Sequence, residues 1–303
     1  MFFAMNTKKQ LVHISEIQAG CQYYCPLCHA IVRVRKNNKQ KAYFVHVSKR
    51  RHVTKGETQL HKLGKQLLAK WAAQLGYQVK LEYWIAAFKQ RADVYLEQDN
   101  TQIILEYQCS PLSSTELIQR TKGYYEAGIK CLWIVGKRYL IKKRITQKQA
   151  QFFHYRSDWG FYYLYLNVEA QRLELYYQIL SADFLRPIYR VKYFSSLAEL
   201  IQFKRQNFQS QILPKISAQQ RVKQIKRLNQ ICFQTKGRKF EIQKACYLHH
   251  QNFRELAFYY LSPTYHYPLY SEGFLFWKIR QLLKLPQLTS KFTMPFVNQH
   301  KFL

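Results

Sequence analysis

Two carboxylates occur in an otherwise apolar stretch of the chain, RADVYLEQDNTQIILEYQCS. Alternating residues precede Asp99-Asn100 and an apolar run follows, which predicts two strands joined by a tight turn, since both turn residues tolerate positive φ. Counting outward along the antiparallel ladder places Asp93 directly opposite Glu106, with Cβ atoms about 4.5–5.5 Å apart. Gln108 follows on the same face, one pleat further on. Two buried like charges repel and are expensive to desolvate, so the pattern predicts a cation between them.

The alternative is that Asp93 and Glu106 pair with basic side chains. The chain has 48 Lys+Arg and 17 Asp+Glu, a formal net charge of +31, so such partners are plentiful. Against this, a carboxylate in the middle of ILEYQ is hard to place on a solvated face. Both interpretations stay open from the sequence.

The clearest helix signal lies before these strands, from Thr54 to Gly76. Its apolar positions recur with helical period and are Leu60, Leu63, Leu67, Trp71 and Leu75. Glu57, His61 and Lys65 recur every four residues on the polar flank. Glu57 is either the N3 residue of a Thr54-x-x-Glu57 capping box or an acid directed at the metal from the first helical turn.

The neighbouring elements define the fold class. Residues 77–85 alternate and predict a strand, Ser113-x-x-Glu116 opens a second helix, and the apolar run at 131–135 predicts a buried strand. The order helix, three strands, helix, strand implies a mixed sheet covered by helices, an α/β (α+β) fold. Arg120 on the second helix could contact a substrate phosphate or form an ion pair with Glu116.

A CxxC pair in the first 53 residues predicts a small zinc module. Two thiolates three positions apart can bind one ion, and histidines after a hairpin can complete a tetrahedral site. The four predicted ligands are Cys25, Cys28, His46 and His52. Cys21 and His29 are close enough in sequence to compete for the fourth position. The alternative is a pair of reduced, buried thiols with unrelated histidines.

Basic residues are concentrated outside the predicted metal site. Residues 57–136 hold 9 basic and 8 acidic side chains, whereas residues 137–303 hold 28 and 8. Such a field favours a polyanion, nucleic acid ahead of an acidic membrane surface. The stretch KQIKR contains Lys223, Lys226 and Arg227, which either contact phosphates or form one face of a solvated helix.

Composition also bounds the class of protein. Seven cysteines, an odd number, argue against a secreted disulfide framework, and MFFAMNTKK is too short for a signal peptide. No apolar run approaches the ~20 residues that a membrane span needs. We therefore expect a soluble, cytoplasmic protein. Its 24 Tyr, 20 Phe and 5 Trp could stack on bases or pack the core.

The spacing of the acids resembles a nuclease signature. Glu57, Asp93 and Glu106-x-Gln108, on a helix and two strands, resemble the PD-(D/E)xK nuclease core, with Gln108 where the motif usually has Lys. A wider set of motifs over residues 21–136 looks like the competence protein CoiA family. These motifs are CPLC, the phrase ending Phe44-Val45-His46, Glu57-x-x-x-His61-x-x-x-Lys65, Arg91-x-Asp93-Val94, Glu106-Tyr107-Gln108-Cys109-Ser110 and Arg120-x-x-x-Tyr124.

This resemblance implies an N-terminal zinc-finger-like module, a PD-(D/E)xK nuclease-like domain and a basic, aromatic-rich, mainly helical C-terminal region. We place them at residues 1–53, 54–136 and 137–303. The family often has Cys where this chain has His52, and zinc accepts either ligand. The resemblance also implies a role in natural transformation, in processing or recombining incoming DNA.

We therefore expect a DNA nuclease dependent on Mg²⁺ (or Mn²⁺), with zinc in the N-terminal module. Its expected partners are single-stranded DNA or recombination intermediates, and recombination proteins. The alternative is a non-catalytic DNA-binding recombination accessory protein with a nuclease fold. A remote third hypothesis is an RNA-processing enzyme.

In the nuclease hypothesis, Asp93 and Glu106 hold the divalent ion, and Glu57 is a further ligand or positions water. Gln108 can orient the attacking water but cannot neutralise charge as the motif's lysine does. Turnover is then slow, or it needs help from the first helix. The side chains that could give this help are His61 and Lys65.

Overall fold

The structure, a computed structural model, describes residues 3–8, 10–18, 20–25, 30–36, 40, 42–47, 58–206, 212–285 and 291–296. The chain divides into two compact units, Met1–Gln59 and Leu60–Leu303. The predicted ligands Cys28 and His52, the competing His29, and Glu57 lie outside the described residues.

The N-terminal unit is a small antiparallel sheet. Its strands are β1 (Phe3–Met5), β2 (Leu11–His13), β3 (Tyr23–Tyr24), β4 (Ile31–Lys36) and β5 (Ala42–His46). They lie in the order β2-β1-β3-β4-β5. The apolar core is correspondingly small, and its buried residues are Ala4, Tyr23, Cys25, Val32 and Phe44.

The second unit begins with the predicted order of helix, three strands, helix, strand, which is confirmed. These elements are α1 (Gln59–Ala73), β6 (Gln78–Ile85), β7 (Gln90–Gln98), β8 (Thr101–Gln108), α2 (Ser114–Glu126) and β9 (Lys130–Val135). The predicted hairpin turn is also confirmed, because Asp99 and Asn100 have φ angles of 46° and 61° and Gln98 pairs with Thr101.

The sheet continues across the predicted domain boundary at residue 136. The later elements are α3 (Gln147–Ala150), β10 (His154–Arg156), β11 (Gly160–Asn167), β12 (Arg172–Leu180), β13 (Ile188–Phe194), α4 (Leu197–Lys204), α5 (Ala218–Cys232), α6 (Arg238–Leu248), α7 (Phe253–Tyr260) and α8 (Phe274–Leu282). β11 pairs in parallel with β9, giving the strand order β13-β12-β11-β9-β8-β7-β6, and β10 pairs with β11. Residues 137–194 therefore extend the sheet of the preceding segment instead of starting a separate domain.

Helices cover both faces of this mixed sheet. On one face α1 and α4 pack over Leu105, and their buried contacts include Leu68 and Leu200. On the other face α2 packs over the adjacent strand residue Ile104 through Leu117. Successive residues of β8 thus point to opposite cores, as a strand requires.

The C-terminal helices form a further apolar cluster. Among them, α6 and α7 are two separate helices. His250 between them has a φ of 56°, and the Asn252 side chain caps α7 by accepting from the Arg254 amide at 2.9 Å. In the part of the chain that the structure describes, no helix is both long and apolar enough to cross a membrane.

Candidate functional site

Asp93 lies where β7 and β8 stop pairing regularly. The ladder runs from Gln98 and Thr101 to Val94 and Leu105, which is the predicted register. Beyond it, the Tyr107 amide donates to Asp93 Oδ2 at 2.9 Å. A side-chain carboxylate therefore accepts a backbone amide here, which fixes its position at the end of the ladder.

The Asp93 side chain does not follow the predicted alternation. Ala92 and Tyr95 pack in the core on the α2 face, whereas Val94 packs in the core on the α1 face. Asp93 also faces α1, because its Oδ2 lies 3.2 Å from His61 Nε2. Two successive residues thus point toward α1. Asp93 is therefore held from α1 rather than from α2, although the β7–β8 register is the predicted one.

Glu106 is buried on the α2 face. Arg120 Nη2 donates to its two carboxylate oxygens at 2.6 and 2.7 Å, and the Tyr124 hydroxyl donates to Oε1. Burial and the nearby charge of Asp93 raise the pKa of Glu106 to about 7, although Arg120 and Tyr124 act in the opposite direction. The two carboxylates therefore interact electrostatically even though different helices hold them.

Arg120 forms its ion pair with Glu106 and not with Glu116. Glu116 instead accepts from the Ser113 amide at 3.0 Å, in the predicted capping box. The guanidinium of Arg120 contacts Glu106 and also donates to the Arg91 carbonyl at 3.3 Å. Arg120 thus links α2 to both strands of the candidate site.

Gln108 is buried on the same face as Glu106. Its Nε2 donates to the carbonyl and the hydroxyl of Ser110 at 2.8 and 3.1 Å. Tyr139 donates to the same carbonyl at 2.6 Å. The side-chain amide nitrogen of Gln108 thus donates its hydrogen bonds to the loop that leads into α2.

A third carboxylate, Glu82 on β6, was not predicted. It forms an ion pair with Lys65 of α1 and lies 2.7 Å from Arg91 Nε. Its neighbours Leu81 and Tyr83 pair with Val94 and Ala92, so Glu82 lies opposite Asp93 on the ladder. Its φ of 53° is unusual for a strand residue. Only knowledge of the β6–β7 register could have revealed it from sequence.

The carboxylate oxygens fit a hard divalent cation, but side chains of the site would have to move before a cation could bind. Asp93 and Glu106 would hold the ion, since carboxylate oxygens are preferred ligands of Mg²⁺. Among the described residues, no three His, Cys, Asp or Glu side chains converge closely enough to hold a metal. Both Glu106 oxygens bond to Arg120. A cation would therefore bind there only after Arg120 moves away.

Two of the predicted zinc ligands are described. Cys25 is buried just after β3, and its amide donates to the Ala30 carbonyl at 2.8 Å. His46 ends β5 and pairs with Val32 at the start of β4. Both residues thus lie at the same end of the sheet. Cys21 is exposed.

The predicted phosphate-binding residues of the C-terminal part lie on α5. Lys223, Lys226 and Arg227 are exposed, whereas Gln224 and Leu228 on the other side of the helix are buried. This arrangement agrees with a solvated basic face.

The sequence relationships of the chain centre on the same segment. Residues 57–200 match the family described as "Competence protein CoiA, nuclease-like domain". This segment of the chain is thus similar to the nuclease-like domain of CoiA proteins. One relative is "Competence protein CoiA" of Bacillus subtilis (strain 168), which is 26% identical over 137 residues, 45% of this chain. The match spans 37% of that relative's length.

The matched segment contains every candidate residue from His61 to Arg120. It also extends through β13 into α4, so it crosses the predicted boundary at residue 136. The family match and the continuous sheet therefore agree on one larger domain.

Proposed function

We propose that this protein is a metal-dependent DNA nuclease that acts on incoming or recombining DNA in natural transformation. The observation that carries the proposal is that two carboxylates lie together at the end of the β7–β8 ladder, where Asp93 accepts from the amide of Tyr107, the residue after Glu106. Burial and Asp93 raise the pKa of Glu106 to about 7. A divalent cation would relieve this concentration of negative charge. The transformation role rests on the CoiA resemblance.

In this proposal Asp93 and Glu106 hold Mg²⁺ or Mn²⁺, with Glu57 as a further ligand. The ion would polarise a phosphate oxygen and lower the pKa of a bound water. Arg120 leaves Glu106 to contact the phosphate of the bound substrate. Lys65 of α1, which pairs with Glu82 beside Asp93, supplies the positive charge that Gln108 cannot, and His61 orients Asp93.

A second candidate is a DNA-binding recombination accessory protein without useful catalysis. One observation favours it: protein side chains already contact both carboxylates, His61 at Asp93 and Arg120 at Glu106. A site whose acids are satisfied within the protein has less need of a cation. In either case, exposed lysines and arginines such as Lys226 contact the phosphates.

The deciding experiment incubates the purified full chain with labelled single-stranded DNA, duplex DNA or RNA, in Mg²⁺, Mn²⁺ or EDTA. Wild-type protein should cut DNA only with a metal, and Asp93→Asn should reduce cleavage to background while binding persists. The amide keeps the shape of the side chain and loses the charge that holds the ion. Calorimetry of divalent binding should show the same dependence on Asp93. If the protein cuts nothing with either metal and shows no Asp93-dependent divalent binding, the accessory protein is favoured. If it cuts RNA alone, the RNA-processing enzyme is favoured.

We also propose one structural zinc in the N-terminal unit, held by Cys25, Cys28, His46 and His52. Cys25 and His46 at one end of a sheet with a small core support it, because metal binding would supply folding energy. Metal analysis should find about one zinc per chain, and Cys25→Ser should lose it. If Cys21→Ser loses the zinc and His52→Ala keeps it, Cys21 is the fourth ligand.

A further inference from the structure

An exposed tryptophan and an exposed arginine lie next to the acidic site. Trp84 on the edge strand β6 pairs across the ladder with Arg91 on β7. The side chain of Trp84 is 56% exposed and that of Arg91 is 67% exposed. Directly paired residues of adjacent antiparallel strands point to the same face of a sheet. The pair thus presents an aromatic ring and a guanidinium together to solvent.

This pair is connected to the candidate site on two sides. Arg91 Nε lies 2.7 Å from Glu82, which lies opposite Asp93. The backbone carbonyl of Arg91 accepts from Arg120, the residue that holds Glu106. The guanidinium of Arg91 is therefore oriented from within the site, and its exposure is not that of a loose surface residue.

Within the nucleic-acid function proposed above, we propose that Trp84 and Arg91 form a binding subsite for one unpaired nucleotide beside the acidic site. The indole ring stacks on the base, because every base has a π-face that an aromatic ring can cover. Arg91 contacts the adjoining phosphate with its planar guanidinium. In a duplex the base faces are stacked on each other, so the subsite favours single-stranded DNA. The proposal adds a strand preference that the acidic site alone does not give.

The opposite edge of the same sheet offers a matched control. Tyr193 on β13 is 53% exposed, and the guanidinium of Arg172 lies 4.3 Å from its ring centroid. β13 and β6 are the two outer strands of the sheet, so Tyr193 is an exposed aromatic residue on the edge opposite to Trp84. If exposure alone allowed stacking, both would bind bases.

The test measures binding by the full chain in EDTA, which separates affinity from cleavage. The probes are a fluorescein-labelled oligothymidylate of about 15 nucleotides and a duplex of the same length. Trp84→Ala should weaken single-strand binding about tenfold, the usual loss for one stacking residue, and leave duplex binding nearly unchanged. Trp84→Phe should retain most of the affinity, since it keeps an aromatic face. Tyr193→Ala should match wild type with both probes.

The possible failures are distinguishable. If wild type binds the single strand and Trp84→Ala binds it equally well, the subsite is absent and the proposed nuclease function stands. Equal losses for single strand and duplex would also overturn the base-stacking role. If wild type binds neither probe, the proposed nucleic-acid function fails together with the subsite. Equal thermal unfolding of Trp84→Ala and wild type would show that the loss of binding does not reflect misfolding.

Discussion

Glu106 and Glu174 are two buried glutamates in the same sheet, each with an arginine and a tyrosine. Glu174 on β12 accepts from Arg172 Nε at 2.8 Å and from Tyr176 at 3.2 Å, and Asn167 donates to it at 3.2 Å. Glu106 on β8 accepts from an arginine and a tyrosine of α2. By residue type alone, the two carboxylates look equivalent.

Their surroundings differ in two ways. The partners of Glu174 come from its own hairpin, so they form together with the strands. The partners of Glu106 come from a separate helix, and a second carboxylate, Asp93, raises its pKa. A buried acid that its own hairpin satisfies is a structural feature. Glu106 lies beside another acid, and its cationic partner comes from a separate helix. Its carboxylate therefore remains available to a ligand when that partner moves.

The largest effect should separate these two glutamates. Glu106→Gln should abolish metal-dependent cleavage, because it removes a proposed ligand, whereas Glu174→Gln should retain it. Both variants should unfold more easily, since each leaves an arginine without its carboxylate. Cleavage rates and thermal unfolding of the two proteins, measured side by side, test this. Comparable activity in the two variants would mean that Glu106 is no more important for cleavage than Glu174.

A second prediction concerns how closely α1 approaches the site. A Cβ added at Gly64 would lie 2.2 Å from Tyr107 Cε1, and Tyr107 supplies the amide that positions Asp93. Gly64→Ala should therefore lower the free energy of unfolding by about 1–3 kcal/mol through overpacking. A Cβ added at Gly123 on α2 would lie 3.2 Å from its nearest neighbour, the side-chain amide nitrogen of Gln90, and that side chain can move.

Chemical denaturation of the two alanine variants measures the difference. Gly123→Ala should be nearly neutral, because alanine favours a helix and offsets a small adjustment. Combining Gly64→Ala with Tyr107→Leu should recover part of the loss by making room for the methyl group. Equal stability of Gly64→Ala and wild type would mean that α1 lies farther from β8.

Local signals in the sequence predicted much of this fold. The Asp99-Asn100 turn fixed the β7–β8 register, and the Ser113 capping box set the start of α2. Both depend on residues within a few positions of each other, so their physics is contained in a short stretch. The parallel pairing of β9 with β11 joins distant segments, and no local pattern indicated it.

The same contrast between local signals and contacts of distant segments applies to the acidic site. The types of Asp93 and Glu106 were apparent from sequence, but their orientation depends on contacts made by other elements. His61 and the Tyr107 amide hold Asp93 toward α1, which interrupts the alternation that a regular strand would have. The position of Glu82 could be predicted only from the β6–β7 register, which a short 3-10 turn at Ala86–Phe88 sets.

The smallest predicted effect concerns a buried histidine that has no role in the proposed reaction. His154 on β10 stacks on Phe296 and Tyr162 at ring-centroid distances of 4.7 and 5.3 Å. Its Nε2 makes no hydrogen bond within the described part of the chain, and burial lowers the pKa of His154 to about 3. The folded state thus holds this imidazole neutral, in contrast to His61, which faces the Asp93 carboxylate.

Because the pKa of His154 is lower when folded, the unfolded chain binds the extra proton between about pH 6.5 and pH 3. Stability should therefore fall as the pH falls through this range, by about 2 kcal/mol at pH 5 relative to pH 7 for this residue. His154→Phe keeps the stacked ring and removes the titration. Urea denaturation at both pH values should show a smaller loss in the variant than in wild type, while all other titrating groups are common to both proteins. Parallel losses would mean that His154 is protonated in the folded state.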